Sequence, residues 1–600
     1  MSPGTVYDVL VLGGGHAGIE AALSAARLGC RVALVAADRK RIGEMSCNPA
    51  IGGVAKGILV REIDALGGSM GRGADACGIQ FRMLNRSKGP AVWGPRKQED
   101  ADLYSRWQLK NLRLNGVEVL EDVAERLLGE TSEVEGLRCR RLGSVRARAV
   151  VIAAGTFLGG KLFRGSEQWT GGRIGDVSAE RMEQDMRRRM FHVKRFKTGT
   201  PPRITRRSLN LSVLDLQEED GEGYLFGHEN SPEGPGRERC YLTRSNRRTA
   251  EVVKRFIDQS PLYGGRISGV GPRYCPSFED KVMKFPDRES HALHVEPMGI
   301  DSRWMYLNGL STSLPRRAQE KMVRSVEGLR GAEIAVYGYA VEYGYFDGAE
   351  LNRTLRLLRT GNVFAAGQVC GTSGYEEAAA MGLLAGANAA RICREEEPVR
   401  LSRARSYMGV MIDDVVGKGL TEPYRLFSSR SENRLHLRPD NADRRMAPVA
   451  ERIFGSAGEW LEKRLESAGA ISKALRSARV EGKSLMEHCR RPEVGTEEVL
   501  HLAPGIGKFD AELVRSVVLD EKYRGYIERS ERRIEQRKRM ENVALSGIDS
   551  YRSIREICYE ARVVLERERP ATLGEAAGLP GVRPSDVEGI IVHLARERST

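Results

Sequence analysis

The chain has 600 residues, with 41% hydrophobic and 29% charged side chains, a balance that excludes disorder of the whole chain. At roughly 150 residues per domain this length predicts three or four domains. Lys and Arg exceed Asp and Glu by a formal +14, which favours an anionic partner such as nucleic acid, a phosphorylated ligand or a membrane surface.

The run VYDVLVL at 6–12 is short, apolar and β-branched, and predicts a buried strand. Gly13-Gly14-Gly15-His16-Ala17-Gly18 follows at once. Ile19, Ala22, Leu23 and Ala26 then recur at helical spacing until Gly29, and CRVALVAA at 30–37 reads as a second buried strand, completing a βαβ unit. Further strands are expected at 148–153 and 362–366. The stretch between them has a different texture, with Pro and Gly clusters such as KTGTPPR at 197–203 and NSPEGPGRE at 230–238. It predicts an insertion that leaves the dinucleotide-binding domain and returns to it. After residue 400 charged amphipathic segments dominate and predict a helical C-terminal domain. No apolar run approaches the roughly 18 residues of a membrane span. No signal-peptide pattern opens the chain, so a cytoplasmic protein is expected.

Gly13, Gly15 and Gly18 form a GxGxxG between a strand and a helix, the context that dinucleotide binding requires. Gly13 allows the tight turn, Gly15 lets a pyrophosphate approach the backbone, and Gly18 lets the helix pack against the strand. The second strand ends in Val35-Ala36-Ala37 without an acidic residue, leaving Asp38 either as the ribose partner or as a solvated loop residue. A second Gly-rich turn, at 363–386, runs from Gly367-Gln368 into a small-residue helix. Alone it has the alternative of a tightly packed Ala/Gly helix; paired with the first motif it favours flavin over nicotinamide, since a helix N-terminus stabilises negative charge on the reduced ring.

The ten cysteines are scattered without a CxxC, which excludes a zinc quartet and points to reduced thiols. The histidines form no ligand pattern, and no metal is expected. Cys47 lies just after the second strand, and Gly52 stands where a disulfide reductase would carry its second cysteine. Cys47 is either a nucleophile or a small buried apolar group. Cys275 precedes Pro276 and Ser277, a helix start, with Arg273 and Lys281 near in sequence, all of which favour a thiolate. Basic residues cluster at 187–207, 430–445 and 532–539, which suits a polyanion such as RNA although acidic residues interleave the last group.

GGGHAGIEAA, MSCNPAIGGVAKG, GIQFRMLNRSKGPAV, KTGTPPR, GVGPRYCPSFEDKVM, NGLSTSLP, GYEEAAAMGLLAG, LTEPYRLFSSR and YRGYIER together resemble the GidA/MnmG family of tRNA wobble-uridine modification enzymes over nearly the whole chain. The resemblance implies an α/β fold: a Rossmann-like two-segment FAD-binding domain (1–200 and 351–400) with an inserted α/β NAD-binding or substrate domain (201–350) and an all-helical C-terminal domain (401–600) for tRNA and the GTPase partner. It implies a homodimer that works with the GTPase MnmE. It further implies that carboxymethylaminomethyl or aminomethyl is added to uridine C5 using methylene-tetrahydrofolate, NADH, and glycine or ammonium. FAD contacts carry over to Gly13, Gly14, Gly15, His16, Ala17, Gly18, Val123, Ala179 and Gln368. NAD contacts carry over to Gly271, Pro272, Arg273, Tyr274, Cys275, Pro276, Ser277, Phe278, Glu279, Asp280, Lys281, Val282, Met283, Lys284 and Phe285. The family's two functional cysteines match Cys47 and Cys275. The chain departs from the family at Ala179, where a Ser is common beside FAD, at Met298 in place of Glu, and in VWGPRKQED at 92–100.

Overall fold

The computed structural model describes residues 5–220, 224–227, 234–274, 276–417, 419–541, 543–579 and 581–597; Cys275 lies outside the described residues. Contacts divide the chain into two compact units, 1–415 with 420–468, and 416–419 with 469–600.

In the first unit, the strand Val6–Leu12 is fully buried from Val9 to Leu12 and pairs in parallel with Val32–Ala36 on one side and Gly143–Ile152 on the other. A strand covered on both faces reads as a continuous apolar run, which is why no alternation is visible there. Gly143–Ile152 changes partners along its length. Its first half pairs antiparallel with Val134–Cys139 and its last three residues pair in parallel with Val363–Ala365. The second segment thereby rejoins the sheet beside the first, as expected from the two Gly-rich turns. The helix His16–Arg27 packs along Tyr375–Cys393 at very close range. A Cβ at Gly382 would sit 2.0 Å from the Ala17 carbonyl, and one at Gly386 2.0 Å from that of Ala21. The Ala/Gly composition of the later helix is therefore a packing requirement along its body, independent of what its N-terminus does.

The inserted region contributes a six-stranded sheet in the order Asp215–Leu216, Tyr241–Arg244, Ala292–Pro297, Trp304–Asn308, Arg203–Thr205, Ile334–Val336. Period-two alternation divides its faces. Leu293, Val295, Met305 and Leu307 join a core with Val253, Met322 and Val323 from the helices Arg247–Phe256 and Arg316–Arg324. Glu296, Tyr306 and Arg203 project from the opposite face, where the Cys47 loop lies.

The helices Tyr407–Gly417 and Ala442–Phe454 fall largely in this first unit, beyond the domain boundary expected at 400. Buried Glu62 is the reason. It accepts the Tyr407 amide at 2.9 Å and the Met408 amide at 3.0 Å, and pairs with Arg445 at 2.7 Å. One carboxylate thus satisfies the otherwise unpaired first donors of a helix and a buried cation.

The second unit is helical around a core of Leu545, Ile548, Tyr551, Ile554, Ile557, Leu565 and Ile590. One departure from an all-helical domain is a small hairpin, Arg479–Val480 with Lys483–Ser484. Glu481 and Gly482 turn it with φ of 51° and 81°, the two successive left-handed residues a tight two-residue hairpin needs. Among the described residues no helix is long and apolar enough to cross a membrane.

Candidate active site

A cavity of about 410 Å³ opens where both Gly-rich turns meet. Gly13, Gly14, Gly15, His16 and Ala17 line it, together with Val123, Ala179 and Gln368, so eight of the nine residues expected around FAD share one space. Gly18 is the exception, for the reason its motif position predicts: a Cβ there would lie 1.8 Å from the Gly13 carbonyl oxygen. Asp38 also lines the cavity while its carboxylate accepts the Lys40 amide at 2.8 Å, so it caps a turn and faces the space at once.

The helix Tyr375–Cys393 directs its N-terminus here, with Ser373, Gly374, Tyr375 and Ala378 in the lining. Glu376 and Glu377, both fully buried in its first turn, hold Lys56 at 2.9 and 3.0 Å. Burial alone would lower the Lys56 ammonium, but these two carboxylates outweigh it and raise it. Gln368 and the glycines supply polar backbone and amide groups; Arg41, Glu44, Arg173 and Asp176 form an ion-paired set on the same lining, with Arg41 to Asp176 at 2.8 Å and Arg173 to Glu44 at 3.2 Å.

His16 is 7% exposed, its ring stacks on Tyr375 at 4.4 Å, and its Nε2 has no hydrogen-bond partner. Burial pushes its pKa down to about 4, so the imidazole is neutral at pH 7. The site fits a flavin dinucleotide on these observations: an open Gly15 with nothing within 4 Å of a built Cβ, a helix N-terminus, and an unpaired buried imidazole nitrogen.

Cys47 lines the same cavity and is the exposed cysteine among the described residues. Its amide donates to the Tyr375 hydroxyl at 2.7 Å and its Sγ lies 3.1 Å from the Tyr306 hydroxyl. Arg203 donates to the Ser46 carbonyl and to the Pro201 carbonyl, the latter at 2.8 Å. KTGTPPR therefore serves the site twice: Thr198, Gly199 and Thr200 line the cavity, and Arg203 ties down the thiol loop. Tyr306, Tyr375 and Lys56 are not singled out by the sequence, and Arg203 reads there as part of a basic cluster. Tyr375 and Lys56 stand inside the recognisable motifs; Tyr306 is found only by strand register.

The stretch 271–285 is divided. Pro272 lines the cavity. Ser277 caps the helix Phe278–Lys284, accepting the Asp280 amide at 3.2 Å. Phe278 and Val282 belong to the apolar core, and buried Glu279 accepts the Ser313 amide at 2.9 Å. Tyr274, Met283 and Phe285 are exposed, and Arg273 pairs with Glu422 at 3.3 Å. Gly271 packs on Lys197, Lys281 donates to the Gly309 carbonyl, and Lys284 pairs with Asp280.

Two of the basic clusters are largely neutralised. Arg187 and Arg195 pair with Glu183 at 2.8 and 2.9 Å, Arg189 with Asp185 at 3.0 Å, and Arg206 with Glu238 at 2.8 Å. Arg438 is fully buried on Asp440, and Arg445 on Glu62. Arg438 and Arg445 therefore belong to the interior, whereas Arg187 keeps its exposure while paired.

Residues 8–397 match the family described as glucose inhibited division protein A. Residues 451–531 match the C-terminal helical domain, and 533–600 the C-terminal helical bundle, of the tRNA modifying enzyme MnmG/GidA. Among solved structures, GidA of Aquifex aeolicus in its form I crystal is 39% identical with a TM-score of 0.87, covering 98% of this chain and 100% of that one. The form II crystal gives 37% identity and a TM-score of 0.86, covering 98% of each chain. The chain belongs to the MnmG/GidA family of tRNA-modifying flavoproteins.

Proposed function

We propose that this chain, with the GTPase partner MnmE, adds a carboxymethylaminomethyl or aminomethyl group to C5 of the tRNA wobble uridine. The co-substrates in this reading are methylene-tetrahydrofolate, NADH, and glycine or ammonium, and the working form is a cytoplasmic homodimer. The observation that carries it is the sharing of one cavity by the GxGxxG loop and the exposed Cys47 thiol. FAD held there by Gly13–Ala17, Val123, Ala179 and Gln368 would supply electron transfer between NADH and the folate-derived carbon.

The chain's own part is to bind, orient and activate. The N-terminus of the helix Tyr375–Cys393 favours negative charge at the cavity. Neutral His16 offers Nε2 to the bound cofactor. The Cys47 thiolate adds to C6 of the uracil, which breaks the C5–C6 double bond and places the electron pair on C5. C5 then bonds to the folate-derived methylene as its C=N double bond gives up an electron pair to the carrier nitrogen; glycine or ammonium displaces that nitrogen, which leaves with the amine's proton, and loss of the C5 proton and of the thiolate restores the ring. Cys275 is the second thiol of this reading and carries either this step or one on the cofactor side.

Mass spectra of nucleosides from tRNA of cells lacking the protein test the proposal. Loss of the aminomethyl-type wobble uridines, restored by the wild-type chain and not by Cys47→Ser, is the expected result. Unchanged tRNA overturns it, and a missing C5 methyl instead would identify a uridine methyltransferase.

A further inference from the structure

The Cys47 loop meets the inserted sheet along one cross-strand row. Arg203 and Glu296 are both register partners of Tyr306, on the strands either side of it. Directly paired residues project to the same face. The Arg203 guanidinium lies over the Tyr306 ring, 5.2 Å from its centroid, and also bonds the Ser46 carbonyl next to the thiol. Arg96 closes the row through its pair with Glu296 at 2.8 Å. Tyr306 is 2% exposed and its hydroxyl is 3.1 Å from Cys47 Sγ. The space in front of the sulfur also holds the buried, unpartnered Nε2 of His16, a group placed to meet a ligand.

We propose that Tyr306 is the positioning residue for Cys47, its phenol donating a hydrogen bond to the sulfur so that this wall favours the thiolate. The cation on the ring face draws electron density from the phenol, making it a better donor and a poorer acceptor. A hydrogen bond to an ionised acceptor is about twice as strong as a neutral one, so the bond favours the ionised sulfur. On ionisation the S–H bond breaks, its electron pair stays on sulfur, and the proton leaves to water; the phenol keeps its own. The charged and titratable groups around the sulfur are Tyr306, Tyr375, Arg203, the Arg96–Glu296 pair and His16, which burial keeps neutral. Burial holds Tyr375 protonated, and Arg96 offsets Glu296, leaving Arg203 as the uncompensated charge of the row. This deepens the uridine reading above and rests on it only for what the thiolate attacks.

The test is the rate of Cys47 alkylation by iodoacetamide across pH, read by peptide mass mapping in the full chain. Buried Cys77, Cys240 and Cys370 serve as unreactive internal references. Tyr306→Phe is expected to react about tenfold more slowly than wild type near neutral pH, with the difference closing at high pH, where the thiol is ionised in both chains. Arg203→Lys keeps the charge but loses the planar stack, and is expected to shift the profile the same way by less. Wild-type and Tyr306→Phe rates that coincide at every pH overturn the proposal. The assay needs no tRNA, folate or GTPase, so its outcome is separate from that of the nucleoside measurement.

Discussion

The glycine-loop wall of the cavity is supplied by five consecutive residues, Gly13 to Ala17, with Gly18 packed behind them, whereas the thiol wall is Cys47 and Tyr375, held from behind by the side chains of Arg203 and Tyr306. On the first wall, function depends on what is missing: a Cβ at Gly13 or Gly18 would collide with carbonyl oxygens at 2.3 and 1.8 Å. On the second it depends on what is present, a phenol, a guanidinium and a hydroxyl at fixed distances. The difference teaches where each wall is vulnerable. Added volume damages the first; removal of a single polar atom damages the second.

The largest effect is expected where the two walls join. Lys56 sits between the Cys47 loop and the helix Tyr375–Cys393, paired with Glu376 and Glu377 in the interior. Lys56→Met keeps the length of the side chain but leaves two buried carboxylates without their cation. A loss of about 3–5 kcal/mol in urea unfolding is expected, the usual result of breaking a buried pair from one side. A loss under about 1 kcal/mol would show that water reaches these carboxylates and that the joint is soft.

The first wall was legible in the sequence because it is local. Its strand, glycines and helix lie within one short segment, and the chemistry of each glycine follows from its place in the motif. The second was legible only at Cys47. Tyr306 sits in the plain strand Trp304–Asn308, and nothing in that segment marks it apart from its neighbours. Its role arises from antiparallel register with Arg203 and Glu296, a pairing across the insertion that periodicity cannot supply. The first compact unit runs on past residue 400 through contacts of the same kind: Glu62, far upstream, captures the helix start at Tyr407. The basic clusters show the same limit, because a sequence shows charges and hides their partners, as with Arg187 and Arg195 on Glu183.

The helix behind the glycine wall carries two buried titratable groups one turn apart, with opposite pH signatures. Burial raises Glu20 to about 7, against the bonds it accepts from Ser69 and Met70, and lowers His16 to about 4. Between pH 4.5 and 7 the folded chain keeps a Glu20 proton that the unfolded chain has released, so this group costs stability as pH rises. Between pH 6.5 and 4 the unfolded chain has taken a His16 proton that the folded chain refuses, so this group costs stability as pH falls. Each amounts to about 3 kcal/mol over its window. Relative to wild type, His16→Gln is expected to gain stability as the pH drops through its window, and Glu20→Gln as the pH climbs through the other. Urea unfolding at a series of pH values reads both differences. A His16→Gln difference that stays flat with pH would mean that the imidazole takes up its proton alike in the folded and unfolded chains, and that the wall is wetter than its burial indicates.

The sharpest test of the backbone wall compares two glycines three residues apart. Gly18→Ala drives a methyl group into the Gly13 carbonyl, and the loop must shift to admit it. A loss of about 1–3 kcal/mol is expected, together with the loss of flavin binding. Gly15 has φ −79° and ψ −177°, open to any residue, and nothing lies within 4 Å of its built Cβ. Gly15→Ala is therefore expected to leave stability within about 0.5 kcal/mol of wild type. Its methyl group nevertheless occupies the face that a pyrophosphate approaches. A fall in FAD affinity of about tenfold, equivalent to about 1.4 kcal/mol, is expected in a titration of the flavin-free protein. If Gly15→Ala instead lowered stability and left FAD affinity intact, the loop would be a packing turn, and the cofactor would have to be held from the side of Gln368 and the later helix.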